Sequence, residues 1–356
     1  MFDVGKIQTE LTGLVGIRQP FNPVYQKIDA QNQLSASGLF LDDIPYYKTE
    51  FYIDTQDFAE IIDSDLNIDL RNIQGASIVS VCQRIFGELS YIDRNLFYQY
   101  ATNRIATETT LQNGFVGFEI TPSVTKNVAF KITDIRLEFE GTGDLTLVLF
   151  NSALNAPMFS KVIAITETFH IERLDWIVNN TAGDYKGEYF LGYVYDGTLK
   201  PFKRDYEASN LMNTLSEIDI EKVYVSGAND TDLFDLSAVQ SLSENTGLNP
   251  DVTIYDDFTD LIIQNKHLFS RCIQLQWAIT VMQGYVSSVR SNRTERLSKE
   301  IVLQTVQQIE GSNDKSPVKV KGLNAILATE LNQLRKTIDD LKKGYFGSAL
   351  QVQTLG

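Results

Sequence analysis

Apolar and polar positions alternate most densely between Phe115 and Asp196. Val128, Phe130 and Ile132 alternate with polar neighbours, as do Leu145, Leu147 and Leu149, and Tyr189, Leu191, Tyr193 and Tyr195. A period of two sends successive side chains to opposite faces, so each run predicts a half-buried strand. Turn formers separate the runs: Gly141-Thr142-Gly143-Asp144, Asn155-Ala156-Pro157, Asn179-Asn180 and Ala182-Gly183-Asp184. Short strands punctuated in this way predict an antiparallel β-sandwich, jelly-roll-like in type. Two further strands, around Val223 and Ile254, carry the block over 113–256. Residues 205–220 and 228–250, rich in Asn, Asp, Ser and Thr, read as loops or short helical turns.

The period changes on both sides of this block. Thr55 opens a helical pattern with Phe58, Ile61 and Ile62 on one face. Ile78, Val81, Cys82 and Ile85 continue it as far as Gly87, a plausible stop. The aromatic-rich stretch Tyr91 to Ile105 also reads as helix, with Leu96, Phe97, Tyr100 and Ile105 on its buried side. From Asp257 two apolar stripes appear, one through Phe258, Leu261, Leu268, Cys272, Leu275 and Ile279, the other through Ile263, Ile273, Trp277, Val281 and Tyr285. A helix apolar on two sides must be covered on two sides. Beyond a break at Gly311 to Pro317, Leu327, Leu331, Leu334, Ile338, Leu341 and Tyr345 step by fours and threes, the spacing of a coiled-coil seam.

Residues 1–50 are punctuated by Gly5, Gly13, Gly16, Pro20, Pro23, Gly38 and Pro45, yet carry Leu14, Val15, Ile17, Phe21, Val24 and Tyr25. A segment too broken for its own core and too apolar for a free tail lies on something else, either its own domain or a neighbouring subunit. The predicted organisation is therefore α+β: an extended N-terminal arm (1–50), a helical segment (51–112), a β-sandwich (113–256) inserted into the helical part, a second helical segment (257–346) packing with the first, and a tail (347–356).

Composition narrows the chemistry. At 356 residues the chain is long enough for about two domains. The net charge of −15 opposes non-specific binding to nucleic acid or anionic lipid. The cluster Arg290, Arg293, Arg296 and Lys299, followed by Lys315, Lys319 and Lys321, reads as a solvated helix face or as a local basic rim. The longest apolar runs are far shorter than the ~20 residues a membrane-spanning helix needs. Asp3 and Glu10 leave no secretory signal in the opening stretch. Cys82 and Cys272 make no disulfide framework and read as two buried thiols.

The residues for catalysis do not assemble along the chain. His170 and His267 have no partner at metal-ligand spacing. Asp63-x-Asp65-x-Asn67-x-Asp69 starts like a calcium loop, but Ile68 stands where the Gly is needed and Gln74 where the bidentate Glu is needed, so it reads as a solvated helix face. The expectation is no catalytic, cofactor or metal site. Trp176, Tyr189 and Tyr193, with Tyr185 and Tyr195, form a candidate platform for stacking on sugars, and a carbohydrate- or surface-binding module is the alternative function; the same aromatics on one strand face equally fill a core.

The opening stretch Leu11 to Pro20 (LTGLVGIRQP), followed by Ser35 to Phe40 (SASGLF), resembles the start of virion structural proteins from tailed bacteriophages of Bacteroidetes hosts. The β-block followed by a helical C-terminal part, with Gly322 to Ile326 (GLNAI) near its last helix, is similar in arrangement. The resemblance implies a subunit of the neck or tail that assembles as a ring with itself and with other virion proteins, without membrane, and touching nucleic acid at most in the ring's lumen. The residues read as candidate assembly contacts are Leu14, Ile17, Phe21, Tyr25, Phe40, Trp277, Tyr285, Leu334 and Ile338.

Overall fold

The computed structural model describes residues 2–19, 28–45, 47, 49, 66–87, 91–98, 104–106, 113–123, 127–179, 187–204, 215–243, 246–291, 296–311 and 321–345. It is a mixture of helices and antiparallel sheets that divides into two compact units. One, mostly helical, is built from residues 3–88 and 261–356; the other, a β unit, spans 89–260.

The helical unit opens with α1 (Val4–Leu11), whose N-terminus is capped by the Asp3 carboxylate accepting from the Lys6 N–H at 3.0 Å. Ile7 and Leu11, one turn apart, are its buried face. Strand β1 (Val15–Gly16), a single turn of helix α2 (Ala30–Gln33) and strand β2 (Leu39–Phe40) follow, and β1 pairs with β2 in parallel. The described parts of the predicted arm, 2–19 and 28–45, are thus folded rather than extended. Leu14, Val15, Ile17, Ile28, Leu41 and Ile44 are buried, and α1 and α2 pack on α3 (Leu66–Phe86). The physical reason is that short elements, each too small to bury its own apolar side, find α3 as a common floor. Gly75 on that floor has no side chain where the Gln8 amide lies, 3.0 Å from the site of a Cβ. Phe21 and Tyr25, the helical pattern from Thr55 to Ile62, and the tail 347–356 lie outside the described residues.

The C-terminal half adds α4 (Thr259–Gln264), α5 (Ser270–Ser291), α6 (Arg296–Glu310) and α7 (Leu323–Tyr345), with a 3-10 turn at Lys266–Phe269 interrupting the stretch read as one helix. Helix α5 is the centre of the unit. Both of its apolar stripes, including Cys272, Ile273, Leu275, Trp277, Ile279 and Met282, are buried, because α3, α6 and α7 pack around it. The seam of α7 is spent in the same way: Leu327, Leu334 and Ile338 are buried.

The β unit contains β3 (Tyr91–Leu96), β4 (Arg104–Ala106), β5 (Gly114–Pro122), β6 (Val128–Glu140), β7 (Gly143–Asn151), β8 (Phe159–Ile165), β9 (Phe169–Asn179), β10 (Tyr189–Tyr195), β11 (Lys200–Arg204), β12 (Ile218–Ser226), β13 (Gln240–Ser241) and β14 (Leu248–Asp256). The first sheet runs β13-β12-β5-β10-β7-β8; the second runs β3-β14-β6-β11-β4, with β9 also on β6. In the described residues, the expected helix over Tyr91 to Ile105 is therefore corrected to strands β3 and β4, with 99–103 lying outside them. Its backbone groups are used in the ladder from Asp251↔Leu96 to Tyr255↔Tyr91, and this outweighs the apolar spacing that suggested a helix.

One core lies between the two sheets. Phe130 of β6 meets Tyr189 of β10 edge-on at 5.2 Å, and Phe139 meets Tyr193 in the same way at 5.3 Å. Strand β6 keeps its apolar side inward past an irregularity. Where β14 advances one residue, from Val252 to Asp251, β6 advances two, from Ile132 to Asp134, and β9 three, from Trp176 to Arg173. The slip shifts the inward parity of β6 from Val128, Phe130 and Ile132 to Ile135, Leu137 and Phe139, and such bulges bend the strands they cross. Asp175, at φ 50, absorbs the turn in β9.

The far face of the first sheet is covered by its own chain. Ala228, Leu233, Phe234 and Val239, from the strap between β12 and β13, pack on Phe115, Val148, Phe150, Phe190, Val223 and Val225. Gly117 and Gly192 face each other under this cap; a Cβ on Gly192 would fall 2.5 Å from the Phe115 ring and 2.3 Å from the Val116 carbonyl oxygen.

Candidate functional site

The two stretches that carry the resemblance form one structural element. The Ser37 hydroxyl donates to the Leu14 carbonyl, and the Ser35 hydroxyl donates to that of Leu39 at 2.7 Å, so the SASGLF turn latches both ends of the β1–β2 pair. Gly16 fits because its α-carbon lies against the Gln33 and Leu34 carbonyls, 2.7 to 2.8 Å from where a Cβ would stand. Two glutamine amides clamp this hook from different helices: Gln74 of α3 donates to the Val15 carbonyl at 3.0 Å, and Gln274 of α5 donates to the Phe40 carbonyl. The guanidinium of Arg18 lies 4.3 Å from the Phe40 ring centroid and pairs with Asp43 at 2.6 Å.

The candidate assembly contacts divide accordingly. Leu14 and Ile17 are buried beneath the hook, and Phe40 is half-buried. Trp277, Tyr285, Leu334 and Ile338 are buried in the helical unit. These six buried side chains offer no surface to a second subunit, which corrects that reading: the apolar stripes of α5 and α7 are satisfied inside the chain. The carbohydrate platform is corrected in the same way. Trp176 stacks on Phe159 at 5.3 Å, Tyr189 meets Phe130, and the Tyr193 hydroxyl donates to the Thr246 carbonyl at 3.1 Å. All three are buried, because they sit on the inward parity of β9 and β10. Burial pushes the Tyr193 phenol well above its ordinary range and that of Tyr189 up to about 12.

Asn67 of the acidic run caps structure rather than a cation. Its side-chain oxygen accepts from the Asp29 N–H at 3.0 Å, while Asp63 and Asp65 lie outside the described residues. Among the described residues no three His, Cys, Asp or Glu side chains converge as a metal site would require. Burial pushes the thiols of Cys82 and Cys272 up to about 12, so both stay protonated at neutral pH.

The polar architecture that sequence reasoning missed lies on the outer surfaces of the β unit. On the second sheet, Arg94 grips Asp251 with two nitrogens, at 3.0 and 2.6 Å. Asp134, next to the bulge, has its carboxyl held above the ordinary range, first by burial and then by the charge of Asp251. Lys131 pairs with Asp175 at 2.7 Å, and Arg173 pairs with the same carboxylate. On the first sheet, Glu119 is likewise held up by burial and by the neighbouring charges of Glu188 and Glu221. At one end of that face a cleft of about 350 Å³ is lined by Asp144, Thr146, Asp196, Thr198 and Asp230, among others. Residues 89–260 carry 26 Asp and Glu against 12 Lys and Arg, nearly the whole excess of negative charge in the chain. The signal for this was available in the sequence as a count, once the unit's boundaries were known.

The two sides of the β unit differ. Along one, β8 and β9 are each paired on one side only among the described residues. They are tied together by the Phe159–Trp176 stack and by Lys161, which pairs with Glu172 at 2.6 Å and donates to the Arg173 carbonyl. His170 faces the other oxygen of Glu172 at 3.0 Å. Hydrogen bonds from Lys161 and His170 hold the Glu172 carboxyl below its ordinary range. Along the other side, the Ser216 N–H donates to Asp93 at 3.0 Å, tying the turn before β12 to β3.

No family model matches the chain, and no curated protein matches it. Among solved structures it is similar, at a TM-score of 0.12 and 12% identity over 79% of this chain and 94% of the other, to the D1-D2-D3 domains of the flagellar cap protein FliD from Escherichia coli, a likeness too small to carry a structural argument. No helix among the described residues is long and apolar enough to cross a membrane.

Proposed function

We propose that this chain is a non-enzymatic structural subunit of a tailed-phage virion, forming a ring in the neck or tail, at the head-to-tail connector, through contacts between its copies. The observation that carries the reading is the hook. The stretches LTGLVGIRQP and SASGLF, through which the sequence resembles such virion proteins, are separated along the chain yet pair as β1 and β2. Gln74 and Gln274 then clamp them from two helices. A motif without chemical content thereby has a structural one, which supports reading the resemblance as a shared folded element. On this reading the partners are further copies of the chain and other virion proteins, with nucleic acid only in the lumen, no membrane and no cofactor. The protein is made in the host bacterial cytoplasm and carried in the virion.

The β unit reads, further, as a jelly-roll-like sandwich. Supporting this, the chain changes sheet at nearly every connection from β5 to β14, the β7–β8 and β12–β13 hairpins being the exceptions.

Light scattering of the purified full-length chain, with negative-stain images of the same peak, tests the function. A closed ring is expected, either alone or on addition of neck and tail proteins from the same virion. A chain that stays monomeric in both settings refutes it.

A further inference from the structure

We infer that the β unit docks onto the β unit of a second copy through opposite lateral edges, the β8–β9 edge of one meeting the β3–β12 edge of the next; the inference rests on the ring reading and specifies its contact. The large apolar side chains left exposed on the described β unit are Tyr91, Val162, Ile171, Ile177 and Leu236, each 40–63% accessible. They are not scattered. Val162 is on β8, the last strand of the first sheet, and Ile171 and Ile177 are on β9, beside it in the second. Pairing with Thr146 turns Val162 outward, and pairing with Arg136 and Lys131 turns Ile171 and Ile177 outward on the opposite face, so they flank one edge from both sides. Tyr91 opens β3, at the other end of the second sheet, and Leu236 lies in the 3-10 turn that leads to β13, at the other end of the first. Single exposed apolar residues need no explanation, but their confinement to two opposite edges does.

Charge selects how the edges meet. The β3–β12 edge is net acidic: Asp93, Glu217, Asp219, Glu221 and Asp235 stand on its strands and turns against Arg94, which is taken up by Asp251, and Lys222. On the β8–β9 edge Lys161 and Arg173 balance Glu172 and Asp175, and the Arg173 side chain is 79% exposed. Two acidic edges facing each other would repel, whereas an acidic edge against the balanced one, with Arg173 reaching across, would not. The contact is therefore heterologous, the kind that closes into a ring when the rotation between copies divides the circle. Size permits it. The 11 residues of β9 make an edge about 35 Å long and about 20 Å across two sheets, or about 700 Å², close to the ~800 Å² per partner of a stable interface. Docking is through side chains rather than by adding a strand, because Lys161 already occupies the Arg173 carbonyl and the bulge at Asp175 breaks the line of β9.

A capping experiment on the full-length chain tests the inference. One variant carries Val162→Asp and Ile171→Asp, the other Tyr91→Asp and Leu236→Asp; all four side chains are exposed, and circular dichroism checks that each variant folds. At a concentration where the wild type forms rings, with virion partners present if it needs them, each variant alone is expected to be monomeric, its association weakened at least tenfold. An equimolar mixture is expected to give dimers and nothing larger, since each variant keeps the edge that the other needs. Rings that persist in either folded variant, or a mixture that stays monomeric, would overturn this contact while leaving the ring reading intact. A wild type that never assembles overturns both.

Discussion

Replacing Phe234 with alanine should open the cap on the first sheet without touching the core between the sheets. The ring sits 4.9 Å from Phe115, 5.1 Å from Phe190 and 5.9 Å from Phe150, while its own side chain is only half-buried. A fully buried Phe→Ala change costs about 3–5 kcal/mol. Half of that, about 2 kcal/mol, is the share expected from burial here, and the loss of tilted and edge-on ring pairs adds about 0.5–1 kcal/mol. The strap keeps its backbone anchor, the Leu233 N–H to the Asn155 carbonyl at 2.7 Å, so the total should stay near 2–3 kcal/mol. The two tryptophans make the assay selective, because Trp176 lies in the β unit and Trp277 in the helical unit. With Trp277→Phe as background, urea unfolding followed by Trp176 fluorescence should show a midpoint lower by about 1 M, taking a slope of about 2–3 kcal/mol/M. Phe234→Leu, which keeps apolar volume but loses the ring pairs, should fall between. A shift below about 0.2 M for Phe234→Ala would refute the claim that the strap is held by this residue.

Two further outcomes follow from the ionisable groups. The Glu172 carboxyl is lowered by Lys161 and His170, so its ionised form stabilises the fold above the ordinary carboxylate range, and that contribution fades as pH falls through the depressed value. Glu172→Gln should therefore cost stability at neutral pH, by a few tenths of a kcal/mol to about 1 kcal/mol for a half-buried carboxylate whose lysine partner is exposed, and the gap from wild type should close below about pH 4; a gap that stays constant down to pH 3 in acid titrations would count against the triad. Cys82 and Cys272, buried and with thiols near 12, should both resist an aromatic disulfide reagent in the native protein and both react in urea, and prompt labelling of either without denaturant would contradict their placement.

Much of the fold was legible because burial has a period. The alternation at Leu145, Leu147 and Leu149, and at Tyr189 to Tyr195, marked the strands of the β unit. The double stripe of α5 announced a helix covered on two sides. What a period does not show is the identity of the covering surface. Trp277, Leu334 and Ile338 looked available to a neighbour because their stripes were apolar, and they are covered by helices from the far end of the same chain. Tyr189 and Tyr193 had the right parity for a platform, but parity does not say which face is inside. Tyr91 to Ile105 was misread because apolar spacing of three and four appeared by chance across β3 and β4, whose partners β14 and β11 lie roughly 100 residues or more further along the chain. The clamps by Gln74 and Gln274 left no trace in the pattern at all, since a buried amide is visible only through the carbonyl it serves.

The discontinuous helical unit has a consequence for how the protein is born. Its α1–α3 portion leaves the ribosome first, with the buried side of α3, including Ile78 and Val81, in need of α5, which is encoded after the whole β unit. At roughly 5–20 residues per second, that face waits roughly 10–40 s for its partner while the β unit completes itself. Nascent chains therefore pass through a state with one finished half and one open half, and chaperone occupancy during synthesis should fall on α1–α3. A ribosome that stops before α5 releases a molecule whose β unit is complete but whose helical unit cannot close, so truncation anywhere between the β unit and α5 leaves the apolar side of α3 uncovered.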